Sequence, residues 1–189
     1  MSARARAIVL AGAWLAATAG SSHAADWRSD PAESRLEIVV TFDGTDVPGG
    51  FRVFEATLRL DPANVAAGSL DATIRTASAA FGIADVDREI VKREWFDASA
   101  HPQAVFRSRE LARLSADRYR ARGTLTLKGV TQPVEFPFTF VVRPEGATLE
   151  GALALDRGRF GIGEGEWAAT KVIGAEVRVS FRLKLVPVP

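Results

Sequence analysis

The sequence predicts an all-β fold, either an antiparallel sandwich or a closed up-and-down barrel of about eight strands with one short α-helix. Apolar and polar residues alternate with a period of two along most of the chain, as in strands with one buried and one exposed face. Only one segment has helical spacing, and strands and helices do not alternate as they would in a parallel sheet. These observations indicate an antiparallel sheet that closes on a core.

The composition fits one globular domain. Hydrophobic residues make up 47% and charged residues 25% of the 189 residues, so the chain can bury a substantial core. Cysteine is absent, and stability must therefore come from packing and hydrogen bonds rather than from disulfides.

The first 24 residues have the features of a cleaved secretory signal peptide. Arg4 and Arg6 precede an apolar run over residues 7–19, and Ser22-His23-Ala24 fits a small-x-small cleavage site. We therefore expect residues 1–24 to be removed and residues 25–189 to form a single periplasmic domain.

The charge balance argues against a nucleic-acid partner. Without Arg4 and Arg6, 22 Lys and Arg residues face 23 Asp and Glu residues, a net charge of −1. A phosphate-binding surface needs a clustered excess of basic residues, whereas these arginines alternate with acidic residues along the predicted strands.

Three strands are predicted before the helix. The first runs from Ser34 to Phe42 and is followed by a turn or loop that contains Asp43-Gly44 and Pro48-Gly49-Gly50. The second covers residues 54–60 and the third residues 70–75, and in each the even-numbered residues are apolar.

Residues 84–95 predict the single helix. Ile83, Val86 and Ile90 recur at helical spacing among charged residues, so one face of this helix would lie against the sheet. Asp85 is a suitable N-cap residue.

A β-hairpin dominates the second half of the chain. Two strands within residues 118–142 flank a turn at Lys128-Gly129, and the second strand places three phenylalanines on one face. Strand character also appears at residues 105–108, 149–155 and 177–185. The aromatic face favours a curved sheet with a large apolar interior, and an eight-stranded barrel is wide enough for side chains or one small ligand.

Five blocks of residues resemble the YceI-like family, and together they cover essentially the whole mature chain. The strongest is Leu125-Thr126-Leu127-Lys128-Gly129-Val130-Thr131. The others are Asp30-Pro31-Ala32 with Ser34-Arg35-Leu36, Trp95-Phe96-Asp97, His101-Pro102 with Phe106 and Ser108, and Asp156-Arg157 with Phe160-Gly161-Ile162-Gly163. The chain departs from the family pattern mainly around the helix, and Trp95 stands where many members have phenylalanine.

This resemblance implies an exported, eight-stranded antiparallel lipocalin-like β-barrel with one short α-helix, which binds polyisoprenoids, including the tails of isoprenoid quinones, and carries no covalent cofactor. The helix block is similar to the branch found beside or fused to cytochrome b561-type membrane proteins. The expected partners are therefore an isoprenoid lipid and a cytochrome b561-type membrane protein, with a homodimer as an open alternative.

Aromatic residues are the candidate ligand-binding residues. A lipid cavity needs wide apolar walls, although core packing accounts for any single aromatic residue equally well. The candidates are Phe42, Phe81, Trp95, Phe96, Phe106, Phe136, Phe138, Phe140, Phe160 and Trp167.

No catalytic or metal site is expected. His101 is the one histidine beyond residue 24, too few for a zinc site without cysteines. Ser108, His101 and Asp97 have the side chains of a hydrolase triad but no nucleophile elbow.

The Gly-x-Gly-x-Gly motif at residues 161–165 is not followed by a predicted helix, so it indicates a sharp strand connection rather than a phosphate loop. Glu164 and Glu166 belong to the same loop and are expected to be solvated rather than catalytic.

Two functional hypotheses follow. The first is a lipid carrier with the tail inside the barrel. The second is an interaction protein with a solid core that docks a membrane redox partner. An outer-membrane barrel fits less well, because it would turn apolar residues outward and carry aromatic girdles, and an enzyme ranks last.

Overall fold

The computed structural model describes residues 25–188, which form one antiparallel sheet of eleven strands and a single short α-helix. The predicted signal peptide, residues 1–24, lies outside the described residues. The strands are β1 (Ala25–Ser29), β2 (Arg35–Phe42), β3 (Thr45–Phe51), β4 (Phe54–Leu60), β5 (Ser69–Arg75), β6 (Ala79–Ala80), β7 (Gln103–Arg113), β8 (Arg118–Leu127), β9 (Val130–Arg143), β10 (Gly146–Asp156) and β11 (Ile173–Pro187), and helix α1 is Ala84–Glu89.

Eight of the strands close a barrel, as predicted. Their order is β1-β4-β5-β7-β8-β9-β10-β11, and β1 pairs again with β11 to complete the ring. The remaining strands β2, β3 and β6 extend from β11. Strand β11 supports both arrangements because it is 15 residues long: its last residues pair with β1, and its earlier residues pair with β2.

The predicted hairpin is confirmed in strands β8 and β9. Lys128 and Gly129 both have positive φ, 49° and 74°, as a two-residue turn with the twist of its flanking strands requires. Alternation then places Tyr119, Phe136 and Phe138 inside the barrel, where they are 2 to 6% exposed.

The turn or loop predicted across Pro48-Gly49-Gly50 is instead strand β3, so that prediction is wrong. Strand β3 pairs with β2 along residues 45–50 but with β6 only at residues 50 and 51, so most of its other side is a sheet edge, where proline is tolerated. The ring of Phe81 packs directly against the backbone of Gly49. A side chain at this position would clash with it, because a Cβ there would lie 2.5 Å from Phe81 Cδ1.

The predicted helix is shorter than expected. It ends at Glu89, and its N-cap position is Ile83 rather than Asp85. Asp87, rather than Asp85, bonds to the backbone just before the helix. Its carboxylate accepts a hydrogen bond of 2.6 Å from the backbone N–H of Phe81. Beyond the helix, the chain makes turns whose backbone hydrogen bonds link residues 90–101.

Candidate functional site

The barrel encloses a cavity of about 150 Å³ whose lining side chains are all aliphatic or aromatic. Every barrel strand except β1 contributes inward-facing residues, and β2 and the end of β3 complete the wall. The lining residues are Leu36, Ile38, Phe51, Phe54, Ala56, Leu70, Ala72, Ile74, Ala104, Phe106, Leu125, Leu127, Val134, Phe136, Leu149, Leu153, Leu155, Val179, Phe181 and Leu183.

One end of the barrel is filled by tightly packed side chains, which we call the packed end. The rings of Tyr119 and Phe138 stack with centroids 5.5 Å apart, and Trp27 meets Phe140 edge-on at 5.7 Å. Leu149, which also lines the cavity, is fully buried in the same cluster. The packed end therefore forms a solid floor below the cavity.

The opposite end is covered by two connecting segments, residues 81–102 and 157–173, which we call the cap. Phe96 of the cap packs on Phe51 of β3 with centroids 5.5 Å apart, and Trp95 packs on Trp167 at 5.8 Å. The two segments are also joined through the backbone, because Glu94 O accepts hydrogen bonds from two amides of the second segment, at 2.8 and 3.0 Å. The cap forms its own hydrophobic cluster above the cavity.

Arg157 holds the second cap segment together. Its buried guanidinium donates five hydrogen bonds of 2.8 to 3.1 Å, all to backbone carbonyls. Burial lowers the pKa of Arg157 below its ordinary value, an effect opposed by the charge of Asp156. Because a guanidinium has five N–H donors, this set of bonds leaves none for a ligand. The accepting carbonyls belong to Ile162, Gly163, Trp167, Ile173 and Gly174.

The glycine motif at residues 161–165 lies within the second cap segment, between β10 and β11. The sharp strand-to-strand connection that the sequence predicts is instead a longer segment with 3₁₀ turns at Arg157–Phe160 and Gly165–Trp167. The three glycines of the motif have φ values of 63 to 74°. Gly163 has a second requirement, because a Cβ there would lie 2.2 Å from Arg157 Nη1. Lys128 of the hairpin turn ties this loop to the barrel, since its Nζ donates to Gly161 O at 2.6 Å and to the carboxylate of Glu164 at 3.0 Å.

Trp95 carries an unusual polar atom. Its side chain is 8% exposed, and its Nε1 has no hydrogen-bond partner. Among residues 25–188, Trp95 Nε1 is the only buried side-chain nitrogen or oxygen that has no hydrogen-bond partner in the protein. Such groups are rare in folded proteins, so each requires an explanation.

The ten predicted ligand-binding residues fall into four groups. Phe106 and Phe136 line the cavity, with their rings 5.1 Å apart. Phe138 and Phe140 lie in the packed end, and Phe42 is 47% exposed at the end of β2. The remaining five, Phe81, Trp95, Phe96, Phe160 and Trp167, belong to the cap.

Most of the cavity wall was missed because it is aliphatic. Residues such as Leu125, Leu153 and Val179 have the same alternation as every other inward-facing position. A search for all inward-facing residues along the strands, rather than for aromatic rings, would have included them.

The residues considered for catalysis have separate structural roles. Ser108 Oγ accepts a hydrogen bond of 2.7 Å from the backbone of Leu70, the carbonyl of His101 accepts one of 2.7 Å from Thr76 Oγ1, and the carboxylate of Asp97 accepts one of 3.3 Å from a neighbouring serine. In the part of the chain that the structure describes, no cluster of three or more acidic or histidine residues could hold a metal ion.

No helix among residues 25–188 has the length and apolarity needed to cross a membrane.

Curated relatives match part of the chain. A UPF0312 protein of Pectobacterium atrosepticum is 34% identical over 124 residues, which is 64% of this chain and 64% of that protein. A UPF0312 protein of Yersinia enterocolitica is 32% identical over 120 residues, 62% of each chain. The chain thus spans less than two thirds of the length of these relatives.

Solved structures match more of it. BcnA of Burkholderia cenocepacia has a TM-score of 0.80 and 33% identity and covers 84% of this chain and 99% of its own. A polyisoprenoid-binding domain from Saccharophagus degradans, implicated in plant cell wall breakdown, has a TM-score of 0.67 at 16% identity and covers 88% of this chain and all of its own. The YceI-like domain profile matches residues 27–185, and the chain belongs to the YceI-like family.

Proposed function

We propose that this protein binds a polyisoprenoid lipid or the tail of an isoprenoid quinone inside the barrel and carries it through the periplasm. The observation that supports this proposal is the continuous apolar wall of the cavity, which offers hydrocarbon contacts and no side-chain hydrogen-bonding groups. The shared fold with a polyisoprenoid-binding domain adds support.

Contact with hydrocarbon alone gives enough free energy for binding. Burial contributes about 0.8 kcal/mol for each CH₂ group, so a prenyl chain gains several kcal/mol within a few isoprene units. The cavity volume of about 150 Å³ is below the range of about 300 to 1,000 Å³ that is usual for ligand pockets. A long tail therefore requires the surrounding side chains and the cap to shift.

Access is through the cap end. The packed end is closed by strands that pair with both neighbours, and opening it would break several ladders at once. The cap consists of turns, one short α-helix and two short 3₁₀ helices, and local opening of such segments requires less free energy. The head group of the lipid then lies within or near the cap.

The physiological partner in this proposal is a membrane protein of the cytochrome b561 type, which would supply or accept a quinone. This part rests on the features of residues 1–24 and on the similarity of the helix block described above. The second hypothesis is a docking protein with a packed core and no ligand. It predicts a filled interior, whereas the barrel contains a cavity.

The test is to fill the cavity without altering the outer surface. Ala72 lines the cavity, so Ala72→Phe places a ring in the path of the tail. Ala152 is exposed on the outer face of β10, and Ala152→Phe is the matched control. The mature protein, purified from a periplasm, is extracted with organic solvent, and prenyl lipids are quantified by mass spectrometry.

We expect a prenyl lipid in the wild type and in Ala152→Phe, and at least a tenfold loss in Ala72→Phe, with the same circular dichroism spectrum in all three. A wild-type protein that holds no prenyl lipid and does not take up added quinones would contradict the proposal.

A further inference from the structure

We infer that the indole N–H of Trp95 donates a hydrogen bond to a carbonyl oxygen on the head group of the bound lipid. The inference rests on the proposed function and narrows it, because it selects prenyl lipids with a carbonyl-bearing head, such as isoprenoid quinones, over prenyl hydrocarbons.

The first step of the argument is the unpaired donor. Trp95 is 8% exposed and its Nε1 has no partner within the protein. A buried N–H that makes no hydrogen bond destabilises the folded protein, and a phenylalanine would fill similar space without this penalty. A donor kept in such a place is explained when a ligand supplies the acceptor.

The second step is the position of Trp95 relative to the cavity. Phe51, Leu125, Leu127 and Leu155 line the cavity and also pack against the cap cluster that contains Trp95. When a tail fills the barrel, its head is the part that extends past these residues. Trp95 is therefore in the layer that the head meets as the cap shifts.

The third step is the chemistry around the ring. Gly163 lies between Trp95 and Arg157, since a Cβ on this glycine would be 3.2 Å from Trp95 Cζ3 and 2.2 Å from Arg157 Nη1. The neighbouring carbonyls of Ile162, Gly163 and Trp167 accept hydrogen bonds from Arg157. Gly163 therefore lies against the six-membered part of the indole, and the polar groups of Gly163 and Arg157 are already paired with protein atoms. The donor left for a ligand is Trp95 Nε1 itself, which favours a ligand atom that accepts a hydrogen bond.

These surroundings also discriminate among head groups. A hydrocarbon leaves the Trp95 donor unpaired. A phosphate would bring a charge into an apolar cluster in which all five Arg157 donors are committed. A neutral carbonyl satisfies Trp95 Nε1 without any of these penalties.

The experiment compares two ligands in three proteins. The ligands are squalene and a ubiquinone whose prenyl tail matches squalene in length. The proteins are the wild type, Trp95→Phe and Trp27→Phe, the last of which changes an equally buried tryptophan at the packed end. Retention of each ligand is measured over a concentration series by gel filtration, extraction and mass spectrometry, and indole N–H resonances are followed by ¹⁵N NMR.

We expect Trp95→Phe to weaken ubiquinone binding about tenfold, the magnitude of one buried hydrogen bond, and to leave squalene binding unchanged. Trp27→Phe should preserve the preference for ubiquinone. In the wild type, the Trp95 indole resonance should move downfield with ubiquinone and not with squalene.

The inference is overturned if Trp95→Phe binds ubiquinone as tightly as the wild type, or if it weakens both ligands equally, because the latter indicates general damage to the cap. If the wild type retains neither ligand, the proposed function itself fails. The two failures are therefore distinguishable.

Discussion

The two ends of the barrel are closed in different ways. At the packed end, paired strands converge on large side chains such as Tyr119, Phe138 and Leu149, all at most 2% exposed. At the cap end, short turns are held by the five bonds of Arg157, by backbone contacts to Glu94 and by a cluster that leaves Trp95 Nε1 unpaired.

This difference separates stability from adaptability. Strand ladders and dense packing at one end are cooperative, so they open only when the barrel unfolds. The cap depends on fewer long-range bonds, so we expect it to open locally while the barrel stays folded. The proposed lipid binding would require both properties, one at each end of the barrel.

The largest expected effect is at the packed end. Phe138 is 2% exposed and stacks on Tyr119, so Phe138→Ala should lower the free energy of unfolding by about 3 to 5 kcal/mol, measured by urea denaturation. Phe42, which is 47% exposed, is the control, and Phe42→Ala should change the free energy by less than about 0.5 kcal/mol. Equal losses in the two variants would remove the distinction between a packed end and an exposed rim.

A change at Arg157 should act locally. Arg157→Met removes five donors and leaves the cap carbonyls to be satisfied by water, so the free energy of local opening should fall by about 2 to 4 kcal/mol. Hydrogen exchange should then rise in residues 161–174 and stay slow in strands β8 to β10.

Arg157→Lys provides the graded control, because an ammonium group has three donors rather than five and should give an intermediate exchange rate. If exchange rises equally throughout the barrel, the cap is not an independent unit.

The smallest expected effect concerns the ion pair between Asp26 and Arg59, which joins β1 to β4 near the packed end. Asp26 on β1 accepts a hydrogen bond of 2.8 Å from Arg59 on β4, and this bond is the main reason why the pKa of Asp26 lies below its ordinary value of 3.8. A lowered pKa in the folded state means that the stabilisation is present above pH 3.8 and is lost as the pH falls further. Since both side chains are solvent-exposed, the effect is small.

The measurement is the urea midpoint at pH 6 and pH 3. Asp26→Asn should reduce the decrease between the two pH values, and Arg59→Ala should reduce it by a similar amount because the same pair is broken. If the urea midpoint falls by as much in both variants as in the wild type, the Asp26–Arg59 pair contributes nothing to acid sensitivity.

Much of the fold could be predicted from local pattern. Period-two alternation located strands β2, β4, β5 and β8 to β11, and Lys128-Gly129 located the hairpin turn, because side-chain direction in a strand and positive φ in a tight turn are local properties. The same alternation missed β1 and β6, which are short, and β3, whose prolines and glycines fit a sheet edge only when neighbouring strands are in place.

The sequence by itself determined most of the residues that face inward, with exposed Phe42 an exception, and only the tertiary structure decided how far along the barrel each of them lies. The side chains of Phe136 and Phe138 point to the same side of β9, yet Phe136 lines the cavity and Phe138 lies in the packed end. Their levels depend on the pairing of β9 with β8 and β10, which no local pattern encodes. The role of Arg157 was likewise decided by tertiary structure, because its five acceptors come together only when the loop folds back over the barrel.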